Sequence, residues 1–258
     1  MSLDILNACN QLISAWKIRL TVQYVKIKDV IVEQIESGML SPNQKLPSER
    51  KLAESFDTTR VTLREALSLL EAEGRIYRED RRGWFISTAP LKYDPAQSLG
   101  FSDLARTHGR EAQTEIISAK TILADKQAAT LLKLQPFSDV YRIDRVRYLD
   151  GRPVVYVTSY LLPERFSTLL SFDLSQSLTS IITEHFGIQF HKMHYRVSTR
   201  SLLGPTAAAL RATTGTPAMV IERVNYDRNG EVIGCTIEQW RHDSVNIEST
   251  VELLMSSS

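Results

Sequence analysis

The sequence predicts an α+β protein in two modules: three helices and a hairpin, then a larger set of helices laid on an antiparallel sheet. Three observations predict it. Apolar residues recur at helical spacing from Tyr24 to Leu70 and give way to a short Gly-containing hairpin. Ser87, Thr88, Pro90, Pro95 and Ser98 then mark a linker. Beyond it apolar and polar residues alternate in five runs, with Asp150-Gly151 and Asn229-Gly230 between neighbouring runs. Strands mixed with helices in this way build an antiparallel sheet with helices packed on it. The boundaries are an extension over 1–20 without an assigned role, a first module over 21–88, a linker over 89–98 and a second module over 99–253.

Each element has its own signal. Leu3, Leu6, Ile13 and Trp16 are interrupted by Ser, Asn and Gln, so the extension gets no firm element. Ile27, Ile31 and Ile35, with Val30 beside them, describe one helix face, and Gly38 stops that helix. Ser48 caps a second helix carrying Leu52 and Phe56, with Glu49 in its first turn. Thr58 or Thr59 caps a third, whose buried stripe is Leu63, Ala66, Leu67 and Leu70 before Gly74 ends it. Ile76–Arg78 and Trp84–Ile86 form a hairpin tipped by Arg81, Arg82 and Gly83. In the second module, strands are expected at Val140–Tyr148, Val154–Tyr160, Tyr195–Thr199, Met219–Tyr226 and Ile233–Trp240. Helices are expected at Phe101–His108, Asp125–Leu132, Ser177–Phe186 and Thr206–Arg211. Helix, strand, hairpin and strand occur twice, over Asp125–Tyr160 and Thr206–Trp240, which suggests a duplication.

Composition excludes several classes. With 43% hydrophobic and 24% charged residues among 258, the chain has the make-up of a globular protein and not of a disordered or collagen-like one. No run nears the roughly 18 apolar residues of a membrane span, so no membrane partner is expected. Asp4, Asn7, Asn10 and Gln11 break any leader-like apolar stretch, which places the expectation in the cytoplasm. Cys9 and Cys235 alone make neither a disulfide framework nor a cysteine zinc site. The net charge of +1 does not decide for or against nucleic acid, so that function has to rest on where the charges sit.

Three helices and a hairpin within about 65 residues have the layout of a winged helix-turn-helix, whose third helix enters the major groove. Opposite the buried stripe of that helix lie Arg60, Val61, Arg64 and Ser68. Two arginines a turn apart suit bidentate bonds to guanine or phosphate. Ser48 and Arg50 can reach the flanking backbone, and Arg81, Arg82 and Gly83 form a cationic wing tip. A solvated arginine face among Glu65, Glu71 and Glu73 is the alternative.

Leu46-Pro47-Ser48-Glu49-Arg50, Leu52-Ala53, Thr58 through Leu67 and Leu70-Glu71-Ala72-Glu73-Gly74 resemble, at fixed spacing, the N-terminal domain of the GntR family of bacterial transcription regulators. The resemblance implies a palindromic DNA operator, a homodimer paired through the second module, and contact with DNA by Arg50, Arg60, Thr62, Arg64 and Gly83. Ser48, Thr59 and Arg82 join them in the expected DNA-binding set.

The second module resembles the HutC branch of that family, whose UTRA effector domain is chorismate-lyase-like in fold. The matching residues are Phe101-Ser102, Ile143 through Arg147, Asp150-Gly151-Arg152-Pro153, Leu162-Pro163, Asp173-Leu174, Ser177-Leu178, Phe186-Gly187, Pro217, Arg223 and Trp240 through Asp243. Arg145 and Arg147 lie two apart and share a strand face, an arrangement that is costly unless an anion sits there. Ser102 and Ser177 stand at two helix starts, whose free N–H groups bind anions. The alternative is that the arginines pair with Asp144, Asp150 or Glu222. Members of this branch that sense sugar phosphates carry Glu at the positions of Val157 and Gly234. Here Glu238 can offer a carboxylate to a cation, with Trp240 as a cation–π wall. The segments Arg82–Phe85, Leu134–Phe137, Asn225–Asp227 and Ile237–Ser244 resemble the PhnR-type regulators of 2-aminoethylphosphonate breakdown operons. The resemblance implies a small anionic effector of that kind, bound by Phe101, Ser102, Arg145, Arg147, Ser177, Glu238 and Trp240.

The alternatives are a regulator of the same branch tuned to another small anion, a sugar phosphate or carboxylate, and a lyase-like enzyme. No nucleophile elbow, phosphate loop or dinucleotide fingerprint is present, so neither catalysis nor a cofactor is expected. His191 and His194, three apart on a strand, face opposite ways and predict no metal site. His185 and His242 are expected to be structural or solvated, and Cys235 a small core residue.

Overall fold

The structure, a computed structural model, describes residues 23–94 and 99–250. The extension over 1–20 lies outside the described residues. The chain divides into two compact units, Met1–Ala89 and Pro90–Ser258.

The first unit holds three helices: α1 over 23–36, α2 (Glu49–Ser55) and α3 (Arg60–Ala72). An antiparallel hairpin follows, β1 (Ile76–Glu79) and β2 (Gly83–Ile86). Ile27 and Ile31 are buried, but Val30 is 39% exposed, since the four-residue spacing puts it off the core stripe. Ser48 Oγ accepts from Lys51 N and Thr59 Oγ1 accepts from Thr62 N, so both helix starts are capped by their own side chains. Leu63, Ala66, Leu67 and Leu70 are fully buried against Ile76, Trp84 and Ile86.

The second unit is a six-stranded antiparallel sheet in the order β4-β5-β6-β9-β8-β7. Its strands are β4 (Ala112–Leu123), β5 (Asp139–Leu149), β6 (Arg152–Leu161), β7 (Lys192–Ser201), β8 (Pro217–Tyr226) and β9 (Val232–Arg241). Helices α4 (Phe101–Thr107), α5 (Lys126–Leu132), α6 (Leu178–Phe186) and α7 (Gly204–Ala209) connect them. The run α4-β4-α5-β5-β6 recurs as α6-β7-α7-β8-β9, so the sheet reads alike from either edge, with β6 and β9 at its centre. Ile143-Asp144-Arg145-Val146 on β5 answers Ile221-Glu222-Arg223-Val224 on β8.

Two expectations need correction. The linker over 89–98 contains a strand, β3 (Leu91–Tyr93), paired in parallel with β10 (Val245–Ile247). Leu91 and Tyr93 are buried on either side of exposed Lys92; three residues between prolines are too few for alternation to register. Residues 112–123, to which alternation assigned nothing, form the longest strand. Adjacent Ile116 and Ile117 break the apolar-polar alternation; a bulge shifts the register between Ile116 and Ser118, and on this sheet edge Ile117 stays 46% exposed.

Candidate functional site

In the first unit, α3 presents Arg60, Val61 and Arg64 to solvent, Val61 being 69% exposed. Lys45, Arg50, Arg60, Arg64, Arg78, Arg81 and Arg82 line one concave surface together with Ser48, Glu49 and Gly83. Glu49 organises it. Its carboxylate accepts from Arg64 Nε at 2.7 Å and from Trp84 Nε1 at 3.2 Å, tying α3 to the wing strand. Burial alone would raise the Glu49 pKa, but these two bonds hold it below the usual value. Gly83 has φ +100°, a conformation that disfavours any side chain, and it directs the strand out of the wing turn. Arg50 pairs with Glu54 at 3.0 Å and Arg82 with Glu79 at 2.5 Å.

Thr62 is the exception among the expected DNA contacts. It is 1% exposed, and its hydroxyl lies 3.0 Å from that of Thr59 within the cap of α3. A position three residues after the cap points back into that turn, so Thr62 shapes the helix start and does not reach outward.

In the second unit, one sheet face and the starts of α4 and α6 enclose a cavity of about 280 Å³. All seven expected effector residues, Phe101, Ser102, Arg145, Arg147, Ser177, Glu238 and Trp240, line it. The register explains why. Arg145 pairs with Val157, and Val157 with Glu238; Arg147 pairs with Val155, and Val155 with Trp240. Directly paired residues share a face, so β5 and β9 present their polar groups into one space. The starts of α4 and α6 meet there: a Cβ added at Gly100 would stand 3.9 Å from Ser177 Oγ.

Arg223, absent from the expected set, completes the cluster. It shares a row with Thr236 and Ser159 on the same face. Its signal was the repeated Ile-acid-Arg-Val tetrad, which makes it the counterpart of Arg145. The Glu238 carboxylate accepts a short bond from Arg223 Nη2 and a bond from Trp240 Nε1 at 2.9 Å, and stands 3.7 Å from Arg147. Arg145 Nη1 donates to the carbonyls of Leu174 and Gln176, so it holds the turn leading into α6. The Nε atoms of Arg145 and Arg223 are buried without a hydrogen-bond partner. Three guanidiniums against one carboxylate leave two positive charges in excess. Burial, together with neighbouring Arg147, pushes Arg145 down to about 9, and burial lowers Arg147 as well. Burial alone would raise Glu238, but Arg223 and Arg147 hold it below the usual carboxylate range.

The alternative pairings do not form. Asp144 bonds Arg142, Asp150 bonds Arg110, and Glu222 bonds Arg196 and Arg200. Asp144 and Glu222 belong to the opposite sheet face, one step from Arg145 and Arg223. Three expected roles also change. Glu238 is not open to an outside cation: it is 1% exposed and already bonded to Arg223 and Trp240. Trp240, equally buried, packs on Tyr93 and Phe101, and the guanidiniums of Arg147 and Arg223 lie over Phe101 and Tyr93 instead. Ser102 is not a cap; α4 starts at Phe101 behind Gly100, which has no side chain to occupy the free N–H groups. Ser177 does cap α6, accepting from Ser180 N. Beyond the arginines the cavity lining includes Ser159, Thr236 and Asn225, and also Asp103, His191 and Lys192. Among the described residues no cluster of His, Cys, Asp or Glu could hold a metal ion, and no helix is long and apolar enough to cross a membrane.

Comparison with known proteins places both units. Residues 107–246 match the UTRA domain and residues 23–86 match the bacterial regulatory proteins of the gntR family. The HTH-type transcriptional regulator YihL of Escherichia coli strain K12 is 29% identical over 221 residues, 85% of this chain and 94% of that protein. The HTH-type transcriptional repressor NagR of Bacillus subtilis strain 168 is 28% identical over 207 residues, 80% and 85% of the two chains. The crystal structure of PhnF from Mycobacterium smegmatis superposes with a TM-score of 0.61 at 25% identity, covering 88% of this chain and 99% of that one.

Proposed function

The chain belongs to the gntR family of bacterial regulatory proteins and is a transcription regulator with a UTRA effector domain, and from that premise we propose that it is a repressor released or engaged by a small dianion. As a homodimer in the cytoplasm it reads a palindromic operator, Arg60 and Arg64 of each copy facing the major groove and Arg81, Arg82 and Gly83 the flanking backbone. Ser48, Thr59 and Arg50 support the backbone contacts around them.

The effector reading is carried by one observation: Arg147 and Arg223 share the Glu238 carboxylate, Arg145 stands in the same cavity with no carboxylate of its own, and the Nε atoms of Arg145 and Arg223 are unpartnered, beside two helix starts. An excess of two positive charges in a buried site matches a phosphonate or phosphate dianion, and each unpartnered N–H gains an acceptor when one binds. 2-Aminoethylphosphonate is the effector to test first. Its ammonium belongs at the end lined by the hydroxyls and amide of Ser159, Thr236 and Asn225, since Glu238 is taken. That same end supports a second reading, a phosphorylated ligand bearing hydroxyl groups.

Calorimetric titration of the full chain with 2-aminoethylphosphonate, ethylphosphonate and glucosamine 6-phosphate tests both. The proposal expects binding of a phosphonate or phosphate and its loss in Arg147→Ala. No binding of any of the three would sink the effector reading. Binding of the sugar phosphate alone would select the second.

A further inference from the structure

A buried polar group with nothing to bond is costly, and where it faces a cavity it marks the place of a ligand atom. Tyr93 is such a group. It is 6% exposed, it lines the arginine cavity, and its Oη has no hydrogen-bond partner. Its ring is held, with its centroid 6.0 Å from that of Trp240 and 5.8 Å from Arg223 Cζ. Burial, reinforced by Glu238, pushes its pKa up, so the hydroxyl keeps its proton and acts as a donor. The neighbouring guanidiniums are donors too. With the Glu238 carboxylate bonded to Arg223 and Trp240, what the Tyr93 hydroxyl lacks is an acceptor oxygen of its own.

Tyr93 also occupies a particular place along the chain. It ends β3, which begins two residues after Ala89, the last residue of the first unit. β3 is three residues long, and its ties to β10 include Leu91 N to Ser244 O and Glu248 N to Tyr93 O. Leu91 and Tyr93 anchor it in the core, but so short a strand has few backbone ties, and an added bond at Tyr93 counts among few that hold it in place.

We propose that Tyr93 couples the effector to the DNA-reading module: its hydroxyl donates to an anionic oxygen of the bound effector, and that bond fixes β3, the strand that continues directly from the first unit. The proposal rests on the arginine cavity being the effector site. Reciprocity supplies the mechanism. If paired β3 improves ligand affinity through Tyr93, then ligand must favour paired β3 by the same factor, and the constraint is delivered to the chain segment that leads out of the DNA-reading unit.

The test uses the full chain and Tyr93→Phe, which keeps the ring and its packing. Since the deleted hydroxyl has no partner, the variant without ligand should melt at or above the wild-type temperature. Calorimetry with 2-aminoethylphosphonate, and in parallel with inorganic phosphate, should show binding weaker by roughly ten- to a hundredfold, the loss expected for one hydrogen bond to a charged acceptor. Hydrogen exchange of the peptide spanning β3 should slow when the probe saturates the wild type and remain fast in saturated Tyr93→Phe. Unchanged affinity and unchanged protection would overturn the proposal and leave the cavity reading intact, provided Arg147→Ala abolishes binding in the same series. Weaker binding with wild-type protection would overturn the coupling. A melting temperature several degrees lower without ligand would show that the hydroxyl serves the fold, which also overturns it. If neither probe binds the wild type, the cavity reading fails and the Tyr93 proposal with it.

Discussion

Glu238→Gln separates the two roles that this carboxylate can play. In the structure it is the buried counter-charge of three arginines, with a short bond from Arg223, a 2.9 Å bond from Trp240 and Arg147 at 3.7 Å. Glutamine keeps the shape and can still accept from Trp240, but leaves three buried guanidiniums without a counter-ion. Breaking a buried pair by removing one charge costs about 3–5 kcal/mol. At about 2–4 °C per kcal/mol for a chain of this size, the melting temperature should fall by roughly 6–20 °C. The same change should strengthen anion binding. The excess charge rises from two to three, and one further unit charge about 5 Å from a bound anion is worth about 3 kcal/mol per anionic charge at an effective dielectric of about 20. Less than half of that is a tenfold gain in affinity. The pH dependence carries a third signature. A carboxylate held below its ordinary value of 4.5 contributes stability that is present above that pH and is lost as pH falls through its folded value. Glu238→Gln should therefore flatten the acid limb of the stability profile. Differential scanning fluorimetry in phosphate- and sulfate-free buffer, with and without ethylphosphonate, reads all three. The reasoning is refuted if the variant melts within about 2 °C of wild type with an unchanged anion response. It is refuted equally if 2-aminoethylphosphonate weakens while ethylphosphonate does not, because Glu238 would then be holding the ammonium.

Arg64→Ala should weaken binding to a DNA duplex selected by the wild-type protein by about 1–3 kcal/mol at fixed salt, while calorimetry with the effector probe stays unchanged. Thr62→Val should lower the melting temperature by an amount corresponding to about 1 kcal/mol, through loss of the shared hydroxyl at the cap, and leave the salt dependence of DNA binding as it was; a shallower salt slope would return Thr62 to the DNA surface. Sedimentation at micromolar concentration should give twice the 29.2 kDa chain mass, and a single-chain mass both with and without DNA would count against the dimer. Gly83→Ala should loosen the wing, since alanine is strained at φ +100°, and should reduce DNA affinity more than it lowers the melting temperature.

Local chemistry made the first unit readable. Its caps at Ser48 and Thr59, the stripe from Leu63 to Leu70 and the hairpin through Gly83 all lie within a few residues of what they act on. For the same reason, the arginine pair on β5 and the helix starts at Phe101 and Ser177 could be picked out as parts of an anion site. What sequence spacing could not supply was cross-strand register. It is register that puts Val157 beside Glu238, joins Arg223 to the cluster, and turns Asp144 and Glu222 to the other face.

The sequence by itself determined the two-module plan, the reading helix and seven of the residues around the cavity, because helical and strand periodicities and caps are short-range properties. Only the tertiary structure decided which charges meet. Arg147 and Glu238 are 91 positions apart, and Tyr93 meets Trp240 from a segment whose prolines read as linker. Whether a buried carboxylate awaits a ligand or is already bonded depends on what the fold brings to within hydrogen-bond distance, and no one-dimensional pattern encodes that distance.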